Sequence, residues 1–293
     1  MVSEFINDIS KDLGGLAEIN NLNLIFEDYK LVLFNEPPFK FEDGTETSRK
    51  VWYLKAEGRP KEASEITFSK SDLLVSLLNL GSKIEENKAL RDELALSEEV
   101  IGWCKKYGFP YEEKYFTENF WDENHEKRKG KGLISGYAGF RLNEFKRRVA
   151  ILYGLFNLWY GLTYDDLRRV IEFSPLVKEF DSQKDIDEQL VQMKNSLSRR
   201  IWTAMDMGHV SLTLQYNPQS DKYIIIPYTN NLISVAFFQL AMLMTKEGEG
   251  NGVKFCSKCG RLFEVEHGNK KICSECDNIY HRDYMREKRK RKK

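Results

Sequence analysis

The sequence predicts a mixed α/β protein, in which a mainly α-helical body with short strands and a hairpin precedes a small C-terminal module. Three observations support this prediction: apolar residues repeat at helical spacing in the body, the repeat changes to two residues over 210–226, and four cysteines gather near the C-terminus. Since 293 residues exceed a typical domain of roughly 150, we expect a body over residues 1–249 and a module over residues 250–293.

The first part of the body mixes helix formers with strand formers. Ser71 and Asp72 precede a leucine-rich run that reaches Gly81, which is typical of a capped helix. Residues 40–66 are mostly polar and predict a loop, within which residues 51–54 form a short strand or a helical turn. The other elements expected here are a short helix within 1–20, one or two strands over 22–34 and a helix over 97–107.

Residues 111–132 are charged and show no apolar periodicity, so we interpret them as an exposed loop or a domain boundary. Their basic cluster spans Lys127 to Lys129. A run of like charges usually lies hydrated at the surface, and contact with phosphate is the alternative interpretation.

The second part of the body contains the clearest periodicity. Six apolar residues recur every three or four positions, as on one face of a helix: Leu142, Phe145, Val149, Leu152, Phe156 and Trp159. The remaining elements expected are a short helix over 165–173, a long helix over 186–205, a hairpin over 210–226 and an apolar helix over 232–244. Gly-rich and acidic residues 246–252 predict a linker to the module.

The module contains two Cys-x-x-Cys pairs, Cys256 with Cys259 and Cys273 with Cys276, separated by thirteen residues. Two such pairs can surround one Zn²⁺ ion tetrahedrally with thiolates, and Gly260 supplies the freedom that a tight turn needs. Four thiolates leave no position for water, so we expect a structural zinc ion. A redox dithiol and two disulfides are the alternatives.

The residues around the cysteines predict a treble-clef arrangement, in which a knuckle and a hairpin precede a helix that carries the last two ligands. Leu262 to Val265 favours a short strand, and His267 begins a turn. We expect Tyr280, Tyr284 and Ile279 on the helix to face the finger. His267 and His281 lie near enough in sequence to be considered as ligands, but four cysteines already suffice.

The last residues of the chain are strongly basic. Residues 281–293 contain eight Lys or Arg and two acidic residues, a net charge of +6, so in a chain of zero net charge residues 1–280 carry −6. A cationic helix held by a metal site is suited to phosphate, and a solvated tail is the alternative. The residues expected to contact nucleic acid are Lys270, Lys271, His281, Arg282, Arg286, Lys288, Arg289, Lys290 and Arg291.

These motifs resemble the CGNR-type zinc finger. The similarity covers Phe255 to Phe263 around the first cysteine pair, Lys271 to Asn278 around the second, and Tyr284 with Arg286 in the helix. It extends to the apolar helix that begins near Asn231, while the Gly and Arg of the naming motif are absent after Cys276. The resemblance implies an ABATE-like N-terminal region and a DNA-binding transcriptional regulator.

Other classes are less well supported. No apolar run approaches the about 20 residues that span a bilayer, and the acidic N-terminus is unlike a signal peptide, so we expect a cytoplasmic protein with reduced thiols. No catalytic motif for hydrolysis or phosphate transfer is present, so we do not expect an enzyme.

Two alternatives to DNA binding stay open. The basic helix would serve equally in an interaction module that docks on an acidic protein or on RNA. A treble-clef nuclease would need His267 to activate water beside a second metal, with Glu264 and Glu266 as the nearest acidic ligands. A homodimer would strengthen binding by a single finger, and no effector for the body is indicated.

Overall fold

The computed structural model describes residues 24–35, 39–40, 46–47, 50–63, 72–86, 92–110, 139–174, 183–206, 211–217, 222–229, 231–245, 252–265 and 269–291. The helix expected within residues 1–20, the segment 111–132 and residues 246–251 of the expected linker lie outside these ranges. Over the described residues the fold is mixed α/β and mostly helical, with short antiparallel strands, which confirms the predicted fold class at this level.

The elements follow one another along the chain with these bounds. The strands are β1 (Leu24–Asn35), β2 (Phe39–Lys40), β3 (Glu46–Thr47), β4 (Lys50–Ala63), β5 (Gly139–Arg141), β6 (Ser211–Asn217), β7 (Lys222–Tyr228), β8 (Gly252–Phe255) and β9 (Leu262–Val265). The helices are α1 (Asp72–Glu86), α2 (Glu93–Tyr107), α3 (Leu142–Thr163), α4 (Leu167–Phe173), α5 (Gln183–Asp206), α6 (Leu232–Thr245) and α7 (Ser274–Arg291).

A three-stranded antiparallel sheet forms one side of the body, in the order β1, β4, β5. The structure confirms the strand alternative at 51–54, but the expectation of a loop is wrong for residues 55–63, because β4 pairs with β1 along its whole length. Charged residues and a proline make this strand hard to predict from sequence, whereas β1 pairs with it along its length and β5 pairs with it at residues 53–55. Tyr53 and Leu54 are both buried, so the strand lacks a clean two-residue alternation.

The first helix continues five residues past Gly81, where the sequence predicted its end. A Cβ atom added at Gly81 would lie 2.6 Å from the Cβ of Tyr153 on α3. The glycine therefore marks a close approach of two packed helices rather than a helix terminus.

The long helix α3 lies at the centre of the main core and confirms the predicted apolar stripe. Five of the six stripe residues are buried and Trp159 packs partly buried against them. Helix α6 is also mostly buried, and its Gln239 side chain accepts a hydrogen bond from the Leu74 N–H over 2.9 Å. This bond fixes α6 against the first turn of α1, whose backbone N–H groups have no partner within the helix.

Candidate metal centre

The first cysteine pair lies in the turn between β8 and β9, which form an antiparallel hairpin. The Cys256 N–H donates to the Arg261 carbonyl over 2.8 Å, and the Gly260 N–H donates to the Cys256 carbonyl over 2.9 Å. Gly260 has a φ of 71°, a left-handed conformation in which a side chain is strained. The turn that Gly260 permits is the one that the cysteine spacing predicts.

The second cysteine pair lies at the start of α7, because Cys273 directly precedes the helix and Cys276 belongs to its first turn. The Ser257 N–H donates to the Lys271 carbonyl over 3.0 Å and ties the two halves of the site together. The Cys273 N–H also donates to the Cys256 sulfur over 3.3 Å. The positive end of the helix dipole is therefore directed toward the sulfur cluster, which favours thiolates there.

The four sulfur atoms of Cys256, Cys259, Cys273 and Cys276 lie within 4.8 Å of one another. The Sγ atoms of Cys259 and Cys273 are 3.8 Å apart, which is far longer than a disulfide bond. A tetrahedral zinc ion with Zn–S bonds of about 2.3 Å places its sulfur ligands about 3.8 Å apart. The cluster can therefore hold one four-coordinate metal ion, and the donor set fits zinc.

The surroundings of the four thiols shift their pKa values in different directions. Burial opposes ionisation of Cys256, but the backbone N–H groups of Cys273, Cys259 and Lys258 outweigh it and lower its pKa to about 6. The pKa of Cys276 is raised to about 12, first because its thiol hydrogen bonds to the sulfur of Cys259. Binding of a metal at neutral pH must therefore displace protons from the cluster of thiols.

Arg261 contributes a charge beside the cluster that the cysteine pattern did not indicate. Burial opposes ionisation of Cys259, but a hydrogen bond from the Arg261 side chain lowers the pKa of that thiol. The same guanidinium forms an ion pair with Glu275 in the first turn of α7. Arg261 thus links the hairpin to the helix across the metal site.

The predicted nucleic-acid contacts are placed along the outside of this site. Lys270 is half-buried and its Nζ donates to the Ser274 hydroxyl over 3.2 Å, while Lys271 is exposed. On α7, four further predicted residues have exposed side chains: His281, Arg282, Arg286 and Lys288. Arg289, Lys290 and Arg291 belong to the helix, but their side chains lie outside the described part of the structure.

The expected orientation of the helix is wrong in one respect. Tyr280 is 62% exposed, Tyr284 52% and Ile279 48%, so none of them is buried against the finger. The small core of the finger is instead completed by Phe263 and Val265 of β9, together with Cys256 and Cys273. Since these residues fill the space beneath the metal site, the helix is left to project from its first turn.

The hairpin of the metal site packs directly on the body. The Asn79 side chain on α1 bonds Leu262 twice, because its Nδ2 donates to the Leu262 carbonyl over 3.0 Å and its Oδ1 accepts from the Leu262 N–H over 2.8 Å. Val253 and Leu262 are 1% and 3% exposed and belong to the main core. Sequence reasoning missed Asn79, since an asparagine within a leucine-rich helix gives no signal of a distant backbone partner. The boundary near residue 250 stays a prediction.

A second contact between the hairpin and the body is aromatic. The Phe255 ring lies edge-on to Tyr160 of α3, with ring centroids 5.2 Å apart. The guanidinium of Arg169 on α4 lies 4.2 Å from the Phe255 ring centroid, in cation–π geometry, and also bonds the buried Asn157 side chain. Body and metal site are therefore joined at two separate places on the hairpin.

The residues invoked for a nuclease are only partly described. His267 and Glu266 lie outside the described ranges, and Glu264 is exposed on β9. Among the described residues, the four cysteines are the one group of three or more His, Cys, Asp or Glu side chains placed to hold a metal ion. The nuclease alternative therefore gains no support from the described side chains.

No helix in the described part of the chain combines the length and the apolar character needed to cross a bilayer. The chain matches no protein-family model, no curated protein and no solved structure. The resemblance to CGNR-type fingers thus rests on the cysteine motif and its neighbours in this sequence. What the geometry supports by itself is a four-cysteine metal site of the zinc-finger type.

Proposed function

We propose that residues 252–291 form a treble-clef zinc finger that presents α7 to nucleic acid, chiefly DNA, as a non-catalytic binding module. The observation that carries the proposal is the position of the two metal-ligating cysteines at the first turn of the basic helix. A bound zinc ion would fix the base of the helix, while the hydrogen bonds of Asn79 and the packing of Phe255 hold the hairpin on the body. The resemblance to CGNR-type fingers implies that the binding regulates transcription.

The charge distribution supports a polyanionic ligand. Residues 281–293 carry a net +6 against −6 for the rest of the chain, where acidic and basic residues are mixed in nearly equal numbers, so the excess positive charge is concentrated at this end of the chain. Arg282, Arg286 and Lys288 are exposed along the helix beyond the metal site. Each such cation that contacts a phosphate releases condensed counterions, which contributes affinity that does not depend on the base sequence of the nucleic acid.

A salt titration tests this proposal. We expect the zinc-loaded protein to bind a 20-base-pair DNA with an affinity that falls steeply with salt concentration. The double variant Arg282→Gln/Arg286→Gln should reduce the slope of log K against log salt by about 2, because two phosphate contacts are removed. Fluorescence anisotropy at four salt concentrations measures the slope.

The matched control is Arg199→Gln/Arg200→Gln, which removes two exposed arginines from α5 on the body. It changes the net charge equally and should leave the slope unchanged. Equal slopes for the two double variants, or no binding by the zinc-loaded wild-type protein to either duplex or single-stranded DNA, would contradict the proposal. Binding to an acidic protein that survives nuclease treatment would favour the interaction-module alternative instead.

A further inference from the structure

The exposed tyrosines of α7 form a surface that the metal site does not use. Tyr280 and Tyr284 are one helical turn apart, so they lie on the same face, and Lys288 continues that face one turn further. Lys288 is exposed like the two rings. We call these three residues the tyrosine stripe.

The exposed apolar side chains are concentrated on this helix. Of the twelve exposed large apolar side chains among the described residues, four lie between positions 279 and 285: Ile279, Tyr280, Tyr284 and Met285. Single exposed apolar residues are ordinary, whereas a group of them on a basic helix indicates a partner. The stripe is therefore the best-defined surface that the proposed function leaves unexplained.

The charge of the helix limits what can cover the stripe. A second copy of the chain that packed its own α7 there would bring another net +6 from residues 281–293 against the first. Like charges at such short range repel, and nothing in the stripe neutralises them. A ligand that carries both negative charge and flat apolar groups can stack on the tyrosine rings and pair with the cations at the same time.

Unpaired nucleotides have this combination of properties. In a duplex the faces of the bases are stacked on one another and only their edges are open, whereas single strands expose the faces to aromatic side chains. Residues four apart rise about 6 Å along a helix. That spacing exceeds the about 3.4 Å between neighbouring bases of a duplex strand, so it suits bases that are no longer stacked on one another.

We propose that the tyrosine stripe is a stacking platform for unpaired bases, so that the finger binds single-stranded nucleic acid in preference to a duplex. The inference rests on the proposed nucleic-acid function and refines it by naming the form of the ligand. Tyr280 and Tyr284 each stack on a base, and Lys288 holds a neighbouring phosphate. Arg282 and Arg286 lie on the opposite face of α7 from the stripe, where they can meet backbone phosphates only as a flexible strand continues around the helix.

The test uses the full-length zinc-loaded protein and three labelled probes of equal length: oligo(dT), oligo(U) and a duplex DNA. We expect wild-type protein to bind at least one single strand about tenfold more tightly than the duplex at the same salt concentration. The double variant Tyr280→Leu/Tyr284→Leu keeps apolar side chains but removes the rings. It should weaken single-strand binding by about tenfold or more for each ring lost and change duplex binding less than threefold.

Two controls separate stacking from a structural effect. The variant Tyr280→Phe/Tyr284→Phe retains both rings and should bind single strands within threefold of wild type. Tyr164→Leu removes a 53% exposed ring from the body and should change nothing. Zinc content is measured for each protein, and a tyrosine variant that binds less than one equivalent is replaced by the single variant Tyr284→Leu.

The outcomes are distinct. Loss of single-strand binding in the leucine variant with rescue by phenylalanine supports the inference, and the better of the two single strands identifies DNA or RNA as the source. Binding to all probes that is indifferent to the tyrosines overturns the inference and leaves the proposed function standing. No binding to any probe overturns both. A wild-type dimer that the leucine variant converts to monomer, with single-strand binding intact, assigns the stripe to a second copy and also overturns the inference.

Discussion

The hairpin β8–β9 belongs to two apolar cores of very different size. Val253 of β8 and Leu262 of β9 lie in the main core, with the buried residues of the helices. Phe263 and Val265 point into a second cluster whose other buried members are Cys256 and Cys273. The same two short strands thus take part in two cores. Burial of apolar area alone can stabilise the main core, whereas the second cluster is too small to be stabilised in that way.

The two regions therefore obtain their stability from different sources. The main core contains fully buried large side chains from several helices, including Phe145, Phe156 and Leu197, so burial of apolar area supplies its folding free energy. The cluster beneath the metal site offers two large apolar side chains and depends on its ligands instead, as small metal-bound modules do. The hydrogen bonds of Asn79 connect the two regions.

The largest effect is expected from Cys273→Ser, which removes one ligand from the metal site. Since the binding free energy of a structural zinc ion is about 10–16 kcal/mol at neutral pH, its loss should leave residues 269–291 without fixed structure, whereas Leu262 stays anchored in the main core. The body should remain folded, because its core does not include Cys273. Zinc content and amide hydrogen exchange measure the two effects separately.

Cys104→Ser is the matched control, because Cys104 is equally a buried free cysteine but lies in the main core. It should retain one equivalent of zinc and lower the free energy of unfolding of the body by about 1–3 kcal/mol, since a hydroxyl replaces a thiol in an apolar site. Stoichiometric zinc in Cys273→Ser would show that the cysteine cluster is not the metal site.

A smaller effect is expected from Asn79→Ala, which removes one of the two contacts between the regions without altering either core. The substitution leaves the Leu262 N–H and carbonyl without their side-chain partner and should cost about 1–3 kcal/mol. Amide exchange at Leu262 should accelerate while zinc affinity changes little. Asn195→Ala on the exposed face of α5 is the control and should leave exchange at Leu262 unaltered. Slow exchange at Leu262 in the Asn79 variant would mean that packing alone holds the hairpin.

The metal ligands follow from the sequence because four cysteines with local spacing need only one turn each to converge. Most helices follow as well, since the apolar stripe of α3 repeats along a single segment. The strand β4 does not, because its partner β1 lies in a separate segment and supplies pairing that no local pattern records. The contacts of Asn79 with Leu262 join residues 183 positions apart and are equally invisible in sequence.

The exposed tyrosines of α7 illustrate a different limit. Tyrosine on a helix beside a metal site is compatible with a buried or an exposed ring, because the side chain is both apolar and polar. Which of the two occurs depends on whether other residues already fill the space, and here Phe263 and Val265 do so. Sequence spacing places Tyr280 and Tyr284 on one face but does not say what lies beneath it.

The metal site and the body should respond to acid at different pH values. As the pH falls toward 6, protons compete for the thiolates, including Cys256 with its pKa of about 6, so zinc affinity should fall. The body should stay folded in this range, because its apolar core contains none of the four metal-ligating cysteines. Zinc release followed with a chromogenic chelator, beside circular dichroism of the body, measures the separation. Simultaneous loss of both signals would mean that the body depends on the metal.

The smallest effect is expected at Glu144 on α3, which pairs with Arg147 and Arg148. Burial opposes its ionisation, but the hydrogen bonds from Arg148 and Arg147 outweigh that and lower its pKa. The ion pairs therefore stabilise the fold above the ordinary glutamate pKa of about 4.3 and stop doing so as the pH falls through the lowered value. Because the group is largely solvated, Glu144→Gln should cost less than about 1 kcal/mol at pH 7, and the cost should be smaller near pH 3. Urea unfolding at the two pH values measures the difference, and an equal cost at both would assign the effect to packing rather than charge.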